Sequence, residues 1–351
     1  MQSISIAGRK IGPGFPPFVI AEMSANHNGS IESALQIIAE AKRSGADAVK
    51  LQTYHPDTIT LDCQDDAFVI KGGLWDGRTL YELYDEAHTP WEWHKTLFEY
   101  AGKQNITIFS SPFDNSAVDL LEDLGAPAYK IASFEAVDLP LIRYAASTGK
   151  PLIISTGMVN KDEIEEAVDT ARSAGCTDLA ILHCVSGYPA PATDYNLRTI
   201  PDMANHFDLV TGLSDHTLGN ATAIASIALG ASIVEKHFTL DNQAGGPDDS
   251  FSIEPDGLRA LCEDTKTVWN ALGQVNYGLK SSEQGNVVFQ RSLYAAEDIK
   301  TGDTFTARNV KSIRPGYGLA PKHYDEIIGS TALSNITRGT PLDFCHYTNA
   351  K

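Results

Sequence analysis

Polar side chains in this sequence collect at one kind of place, the ends of short β-branched runs. Glu22 closes FVIAE (18–22), Lys50 and Gln52 lie in AVKLQT (48–53), and Ser110 and Ser111 close ITIFSS (106–111). Lys130 and Ser133 follow in AYKIAS (128–133), Ser155 and Thr156 in PLIIST (151–156), and His183 in LAILHC (179–184). Ser214 ends LVTGLS (209–214) just before Asp215 and His216, and IVEKHF (233–238) carries Glu235, Lys236 and His237. Any strand that exits into solvent can end on a polar residue. Eight such endings in succession point to one shared site.

The residue types suggest what that site does. Lys50 and Lys130 among serines suit a clamp for phosphate or carboxylate, since an ammonium is a point charge with three donors and hydroxyls add neutral ones. The competing readings are a lysine neutralised by a nearby carboxylate and a lysine that forms a Schiff base. Two lysines surrounded by serines fit anion binding better than a single desolvated nucleophile. His216 and His237 end neighbouring runs, where two imidazoles can hold a divalent cation, with the carboxylate of Glu22 and waters completing the shell. Their alternative is an ordinary hydrogen-bonded structural role. Glu22 and Glu135 are candidates for acid–base work or for binding hydroxyls, against the alternative of an ion pair with a lysine. Tyr188, in S-G-Y-P-A, is a turn aromatic or a pocket wall. Cys184 has no evident histidine partner and reads as a small buried residue. The run W-E-W-H (91–94) reads as helix packing.

The elements that must position these residues follow from periodicity. Helical patterns alternate with the apolar runs, for example over Ile31–Arg43, Pro90–Lys103, Lys161–Ser173 and Gly219–Leu229. Thr89–Glu92 reads T-P-W-E, a capping box with proline at the first helical position. Eight strands, each followed by a helix with the sixth as the one open exception, predict an α/β fold of the (β/α)8 barrel type. The competing open, doubly wound sheet lacks the G-x-G-x-x-G expected after its first strand. In a barrel, the C-terminal strand ends face the active site, which gathers the residues above in one place. Residues 54–88 form an insertion after the second strand. The barrel is expected over 1–272, a linker over 273–290, and a compositionally different small domain over 291–351.

Composition narrows the function classes. The 351 residues are 42% hydrophobic and 21% charged, as expected of a globular protein. A net charge of −18 argues against nucleic acid or an anionic membrane as a partner. It also requires lysine or arginine to reverse the sign wherever an anionic substrate binds. No apolar run approaches the roughly 18 residues of a membrane span, and the opening MQSISIAGRKIGPG lacks a secretory pattern. The 5 cysteines are odd in number and without close pairs, which points away from a disulfide framework and towards a cytoplasmic location.

The motifs A-E-M-S-A-N-H-N-G-S (21–30), K-L-Q-T-Y (50–54), S-S-P-F (110–113), Y-K-I-A-S-F-E (129–135), S-T-G-M (155–158), L-S-D-H-T (213–217) and E-K-H-F-T-L-D (235–241) together resemble the sialic acid synthase family. The tail, with R-S-L-Y-A-A-E-D-I (291–299) and V-K-S-I-R-P-G-Y-G-L (310–319), is similar to the antifreeze-like (SAF) domain that ends those synthases. The stretch K-G-G-L-W-D-G-R-T-L-Y-E-L-Y-D-E-A-H-T-P-W-E-W-H (71–94) resembles the branch that makes pseudaminic acid. The resemblance implies a transferase that condenses phosphoenolpyruvate with an N-acylated amino sugar, here 2,4-diacetamido-2,4,6-trideoxy-L-altrose. N-acetylneuraminic or legionaminic acid synthesis is the alternative. By the same resemblance, Lys50, Lys130, Ser133, Ser155, Ser186 and Ser214 would hold phosphoenolpyruvate. His216 and His237 would hold a divalent metal, with Mn2+ first and Co2+, Mg2+ or Zn2+ also open. Glu22, Tyr188, Asp248 and Arg314 would meet the sugar, with Glu135 near the reacting carbons. Ser186 departs from the family, whose sialic acid synthases typically carry Asn there. The resemblance further implies a domain-swapped homodimer, in which Arg314 of one tail serves the partner's barrel.

Overall fold

All eight apolar runs form strands, and all eight are parallel neighbours in one closed barrel. They are β1 (Phe18–Glu22), β2 (Ala48–Thr53), β3 (Thr107–Pro112), β4 (Tyr129–Ile131), β5 (Leu152–Ser155), β6 (Leu179–Cys184), β7 (Val210–Asp215) and β8 (Ile233–His237). Closure joins β8 to β1, with His237 opposite Glu22, while β1 pairs with the next strand, β2, with Glu22 opposite Lys50. The computed structural model describes residues 3–348, and the chain divides into two compact units between Gly273 and Gln274.

Eight main helices follow the strands: α1 (Ile31–Ser44), α2 (Trp91–Gln104), α3 (Asn115–Asp123), α4 (Leu139–Ser147), α5 (Lys161–Ser173), α6 (Thr199–Phe207), α7 (Ala221–Ala228) and α8 (Pro255–Leu272). The sixth strand is no exception, since α6 follows it. Local signals set several boundaries. Ser30 accepts from the Ser33 N–H to start α1, and Gly45, at φ 94°, ends it in the left-handed region that glycine enters without strain. The capping box expected at Thr89–Glu92 does not form. Pro90 is itself the N-cap of α2, with no side-chain cap bond, and the buried Thr89 hydroxyl shares a hydrogen bond with His27 Nε2 instead. Tertiary burial of Thr89 has overridden a local pattern.

Inside the barrel, Phe18, Ile20, Ala48, Phe109, Ala128, Ile153, Ala180, Leu182, Val210 and Ile233 form one buried cluster with Ile4, Ile6 and Ile11. The last three belong to an antiparallel hairpin, Ile4–Ile6 with Arg9–Ile11, packed on the N-terminal ends of the strands. Each such large apolar side chain contributes about 1.5–3 kcal/mol when fully buried, so this end of the barrel is held apolar and closed. The polar residues sit at the other end. Residues 54–88 cross that end as a long insertion containing the short helices Pro56–Ile59 and Leu80–Ala87. Among the described residues, no helix is long and apolar enough to cross a membrane.

The second unit is built on an antiparallel pair, β9 (Ser292–Ala295) with β10 (Val310–Ile313). Its own core gathers Leu293, Phe305, Val310, Ile327, Ile336 and Leu342.

Candidate active site

Strand alternation decides which polar residues meet. Successive side chains of a strand point to opposite faces. Glu22 on β1, Lys50 and Gln52 on β2, Ser214 on β7, and Glu235 and His237 on β8 turn into the barrel. The intervening Asp215 and Lys236 turn away. They form a buried ion pair at 2.8 Å whose other polar atoms are satisfied within the Asp215–Thr217 turn. This pair ties the ends of β7 and β8 together at the residues directly before His216 and His237. His183 likewise leaves the site and bonds the Tyr195 carbonyl. These three polar strand ends are structural.

At the centre lies a buried cluster of charges. Lys50 Nζ is 3.1 Å from Glu22 and 3.2 Å from Glu235, and Lys130 Nζ is 3.0 Å from the same Glu235 oxygen. Ser111 and Ser214 add hydroxyl contacts, at 3.3 Å to Lys50 and 3.2 Å to Glu235. The carboxylate-paired reading of the lysines therefore holds in this structure. Burial works against every charge here, but the outcomes differ. Lys50 has two carboxylate partners, and its pKa is raised despite burial. Lys130 pairs with Glu235 alone, and burial lowers its pKa. Glu235 is pushed up by burial, but the two lysines overcome that and hold it below the usual carboxylate range. Burial raises Glu22 against the pull of Lys50, with Glu235 adding to the rise. Glu135, half-buried with Oε2 unpartnered, is raised by burial to about 7 although Lys130 opposes the shift.

Serine hydroxyls surround this cluster. Ser155 Oγ is buried without a hydrogen-bond partner, and the Gly157 N–H donates to Ser133 Oγ at 3.2 Å. A side chain at Gly157 would strike the Ser186 hydroxyl and come within 2.8 Å of the Ser133 hydroxyl. Only glycine lets the loop after β5 approach both. The result is a cradle of hydroxyls, with that of Ser155 unpartnered, beside two buried ammonium groups, the chemistry an oxyanion needs.

His216 and His237 lie side by side, with ring centroids 5.4 Å apart. His216 Nδ1 donates to the Val185 carbonyl at 2.8 Å, which leaves the lone pair on Nε2. His237 Nδ1 is buried with no hydrogen-bond partner, and Asp248 Oδ2 is 3.9 Å from it. Burial, then His216, holds the His237 pKa well below its usual value, so this imidazole is neutral. Two imidazoles, one with an orphaned nitrogen, fit a divalent cation whose remaining ligands are waters or substrate oxygens. The expectation that Glu22 completes such a set is not met. Its carboxylate is drawn to Lys50 and accepts from Gln52 at 3.1 Å. Among the described residues, no group of three or more His, Cys, Asp or Glu side chains forms a metal-binding cluster.

Around the histidines, Tyr188 packs on His216 at 4.3 Å and lies 5.3 Å from Phe251. Asp248 accepts a hydrogen bond from Ser24, and Ser24 accepts from Gln52 at 3.0 Å. Cys184 does have a histidine partner after all: its sulfur is 3.8 Å from His216 Nδ1. Burial raises the thiol pKa, but His216, Ser133 and Lys130 together more than offset this and bring it to about 7. W-E-W-H packs α2 as expected, with Trp91 stacked on His55 at 4.3 Å and His94 Nε2 2.8 Å from the Thr53 hydroxyl. Arg314 lies in the second unit, exposed just after β10. Twelve of the expected site residues thus lie at the barrel mouth: Glu22, Lys50, Lys130, Ser133, Glu135, Ser155, Ser186, Tyr188, Ser214, His216, His237 and Asp248.

A NeuB family model matches residues 37–277, and a SAF domain model matches residues 290–344. The chain belongs to the NeuB family. It is 45% identical to a pseudaminic acid synthase of Campylobacter jejuni over 93% of this chain and 95% of the relative. It is 44% identical to a pseudaminic acid synthase of Helicobacter pylori over 93% of this chain and 96% of the relative. Among solved structures, the N-acetylneuraminic acid (sialic acid) synthetase of Leptospira borgpetersenii, in complex with citrate, aligns with a TM-score of 0.73 and 31% identity. That alignment covers 82% of this chain and 95% of that one. Two residues of this NeuB-family barrel had no assigned role from sequence. Glu235 bridges both lysines, and Gln52 links Glu22 to Ser24. The signal for both was present, because each shares an alternation phase with an expected site residue two positions away.

Proposed function

We propose that the chain is a pseudaminic acid synthase, a transferase that joins phosphoenolpyruvate to 2,4-diacetamido-2,4,6-trideoxy-L-altrose and water, releasing pseudaminic acid and phosphate. The observation that carries this reading is the buried Lys50–Glu235–Lys130 cluster beside the unpartnered Ser155 hydroxyl, an anion site built into an acidic protein. The acceptor is taken from the two relatives named as pseudaminic acid synthases.

In this reading Lys50, Lys130, Ser133, Ser155, Ser186 and Ser214 bind the phosphate and carboxylate of phosphoenolpyruvate. Its methylene carbon attacks the open-chain aldehyde, and the aldehyde oxygen gains a proton. Glu135, with a pKa near 7, is suited to supply that proton at neutral pH. Positive charge grows on the enol carbon and is stabilised by the Glu22 carboxylate. Water adds at that carbon, and the tetrahedral intermediate collapses with C–O cleavage, leaving the keto acid and inorganic phosphate. His216 and His237 would hold a divalent metal, Mn2+ foremost, whose chemistry there is Lewis-acid polarisation of an oxygen. Tyr188 and Asp248, with Glu22, would contact the sugar.

Residues 1–272 would carry this chemistry, 273–290 would connect, and 291–351 would bring Arg314 to the sugar in the partner's barrel of a domain-swapped homodimer. Support for a covering partner comes from Phe134, Val137, Met158 and Leu218, which are all exposed on the loops after β4, β5 and β7. The five cysteines are free, which suits a reducing cytoplasm. The test is a mass-spectrometric assay with phosphoenolpyruvate and an equimolar mixture of the altrose derivative and N-acetylmannosamine. Only the altrose derivative should be consumed, with one phosphate released per product. Equal specificity constants for the two sugars would refute the acceptor assignment.

A further inference from the structure

The insertion after β2 holds one residue whose position differs from that of its neighbours. From Lys71 to Gly77 every side chain is exposed except Trp75, which is half-buried. Its indole N–H donates to the Pro247 carbonyl at 3.1 Å, and its ring lies 6.0 Å from that of Tyr188. Both partners belong to the site. Pro247 directly precedes Asp248, and Tyr188 packs on His216. The insertion is therefore pinned at the mouth by a large aromatic group, at the outer edge of the histidine and carboxylate layer.

Given the proposed acceptor, the direction of the sugar follows. Its aldehyde must reach the buried layer of Glu22, Glu135 and the two histidines, so the opposite end of the open chain points out through the mouth. In a 2,4,6-trideoxy sugar that end is a methyl group, with an acetamide nearby. We infer that Trp75, backed by Tyr188, is a specificity-determining residue that forms the apolar wall against the deoxy end of the acceptor. A methyl group against an indole removes apolar surface from water. A hydroxyl in the same place would lose its water without gaining a partner, because an aromatic face offers no good acceptor. Discrimination of this kind, by one small group against an apolar wall, is on the order of tenfold to a hundredfold in kcat/KM.

The inference rests on the acceptor assignment, and the test separates the two. Parent, Trp75→Ala and Trp75→Phe enzymes are assayed with the trideoxy altrose, with its 6-hydroxy counterpart and with N-acetylmannosamine, with phosphoenolpyruvate saturating. The parent should prefer the deoxy sugar by about tenfold to a hundredfold. Trp75→Ala should lose most of that preference through a higher acceptor KM, with the KM for phosphoenolpyruvate unchanged. Trp75→Phe, which keeps a ring but not the N–H, should retain most of it. If Trp75→Ala keeps the parent's preference, or if Trp75→Phe loses as much as Trp75→Ala, the wall is not Trp75 and the inference falls alone. If the parent turns over N-acetylmannosamine and neither altrose sugar, the acceptor assignment falls and takes the inference with it.

Discussion

Glu235→Gln tests the charge cluster most directly. One oxygen of Glu235 faces two ammonium groups, at 3.2 Å from Lys50 and 3.0 Å from Lys130, in a fully buried setting. At about 3 Å and an effective dielectric of about 20, each pair is worth roughly 5 kcal/mol before desolvation is deducted. Losing one partner of a buried pair leaves uncompensated charge and costs about 3–5 kcal/mol. Lys130 offers a way out, because burial already lowers its pKa. Shedding a proton at pH 7 from an ordinary lysine costs about 4.6 kcal/mol, and less from this one. The expected loss for the free enzyme is therefore about 3–4 kcal/mol. Phosphoenolpyruvate brings its own negative charge to the same lysines. If it returns even ~1.4 kcal/mol of the loss, it binds the variant about tenfold more tightly than the parent. Denaturant unfolding followed by tryptophan emission reads the barrel alone, since all 4 tryptophans (Trp75, Trp91, Trp93 and Trp269) precede Gly273. Titration calorimetry gives the affinity. Equal stability of variant and parent without ligand, or equal affinity for phosphoenolpyruvate, would refute the idea that Glu235 balances the lysines.

Three further outcomes are expected. Because the Glu135 pKa is raised from 4.5 to about 7, its carboxyl is neutral below that pH and repels an incoming anion above it. The kcat/KM for phosphoenolpyruvate should thus fall as pH rises through 7, and a Glu135→Gln variant that shows the same fall would exclude this group. The stability linked to Glu135 has the same sign, present below pH 4.5 and lost as pH climbs to about 7. His237→Ala should lower Mn2+ affinity by at least about tenfold, measured by calorimetry, while circular dichroism stays unchanged. Retained affinity would place the metal elsewhere. Co-refolding His237→Ala with Arg314→Ala at equal amounts should restore about a quarter of parental phosphate release, because half the dimers are mixed and each has one intact site. With subunit exchange confirmed, an inactive mixture would mean that each tail serves its own barrel.

Much of this protein is determined locally. The positions of β1 to β8 are readable because each is a short β-branched run, and the polar ends of those runs mark the face where the chemistry gathers. The charge sign of the site is also legible, since an acidic chain has to concentrate its lysines wherever an anion binds. What the tertiary structure decided is which neighbours share a face and which distant residues meet. Asp215 and Lys236 look as functional as His216 and His237 in a linear reading, yet the pleat turns them outward into a buried brace. Glu22 looks like a metal ligand until the pairing of β1 with β2 sets it opposite Lys50. Glu235 lies far along the chain from both lysines, and only closure brings the three together. The Thr89 capping box and the placement of Trp75 on Pro247 depend in the same way on partners distant in sequence. Propensity and periodicity act over a few residues, whereas these contacts are selected by the burial of a whole barrel, and no local pattern carries that information.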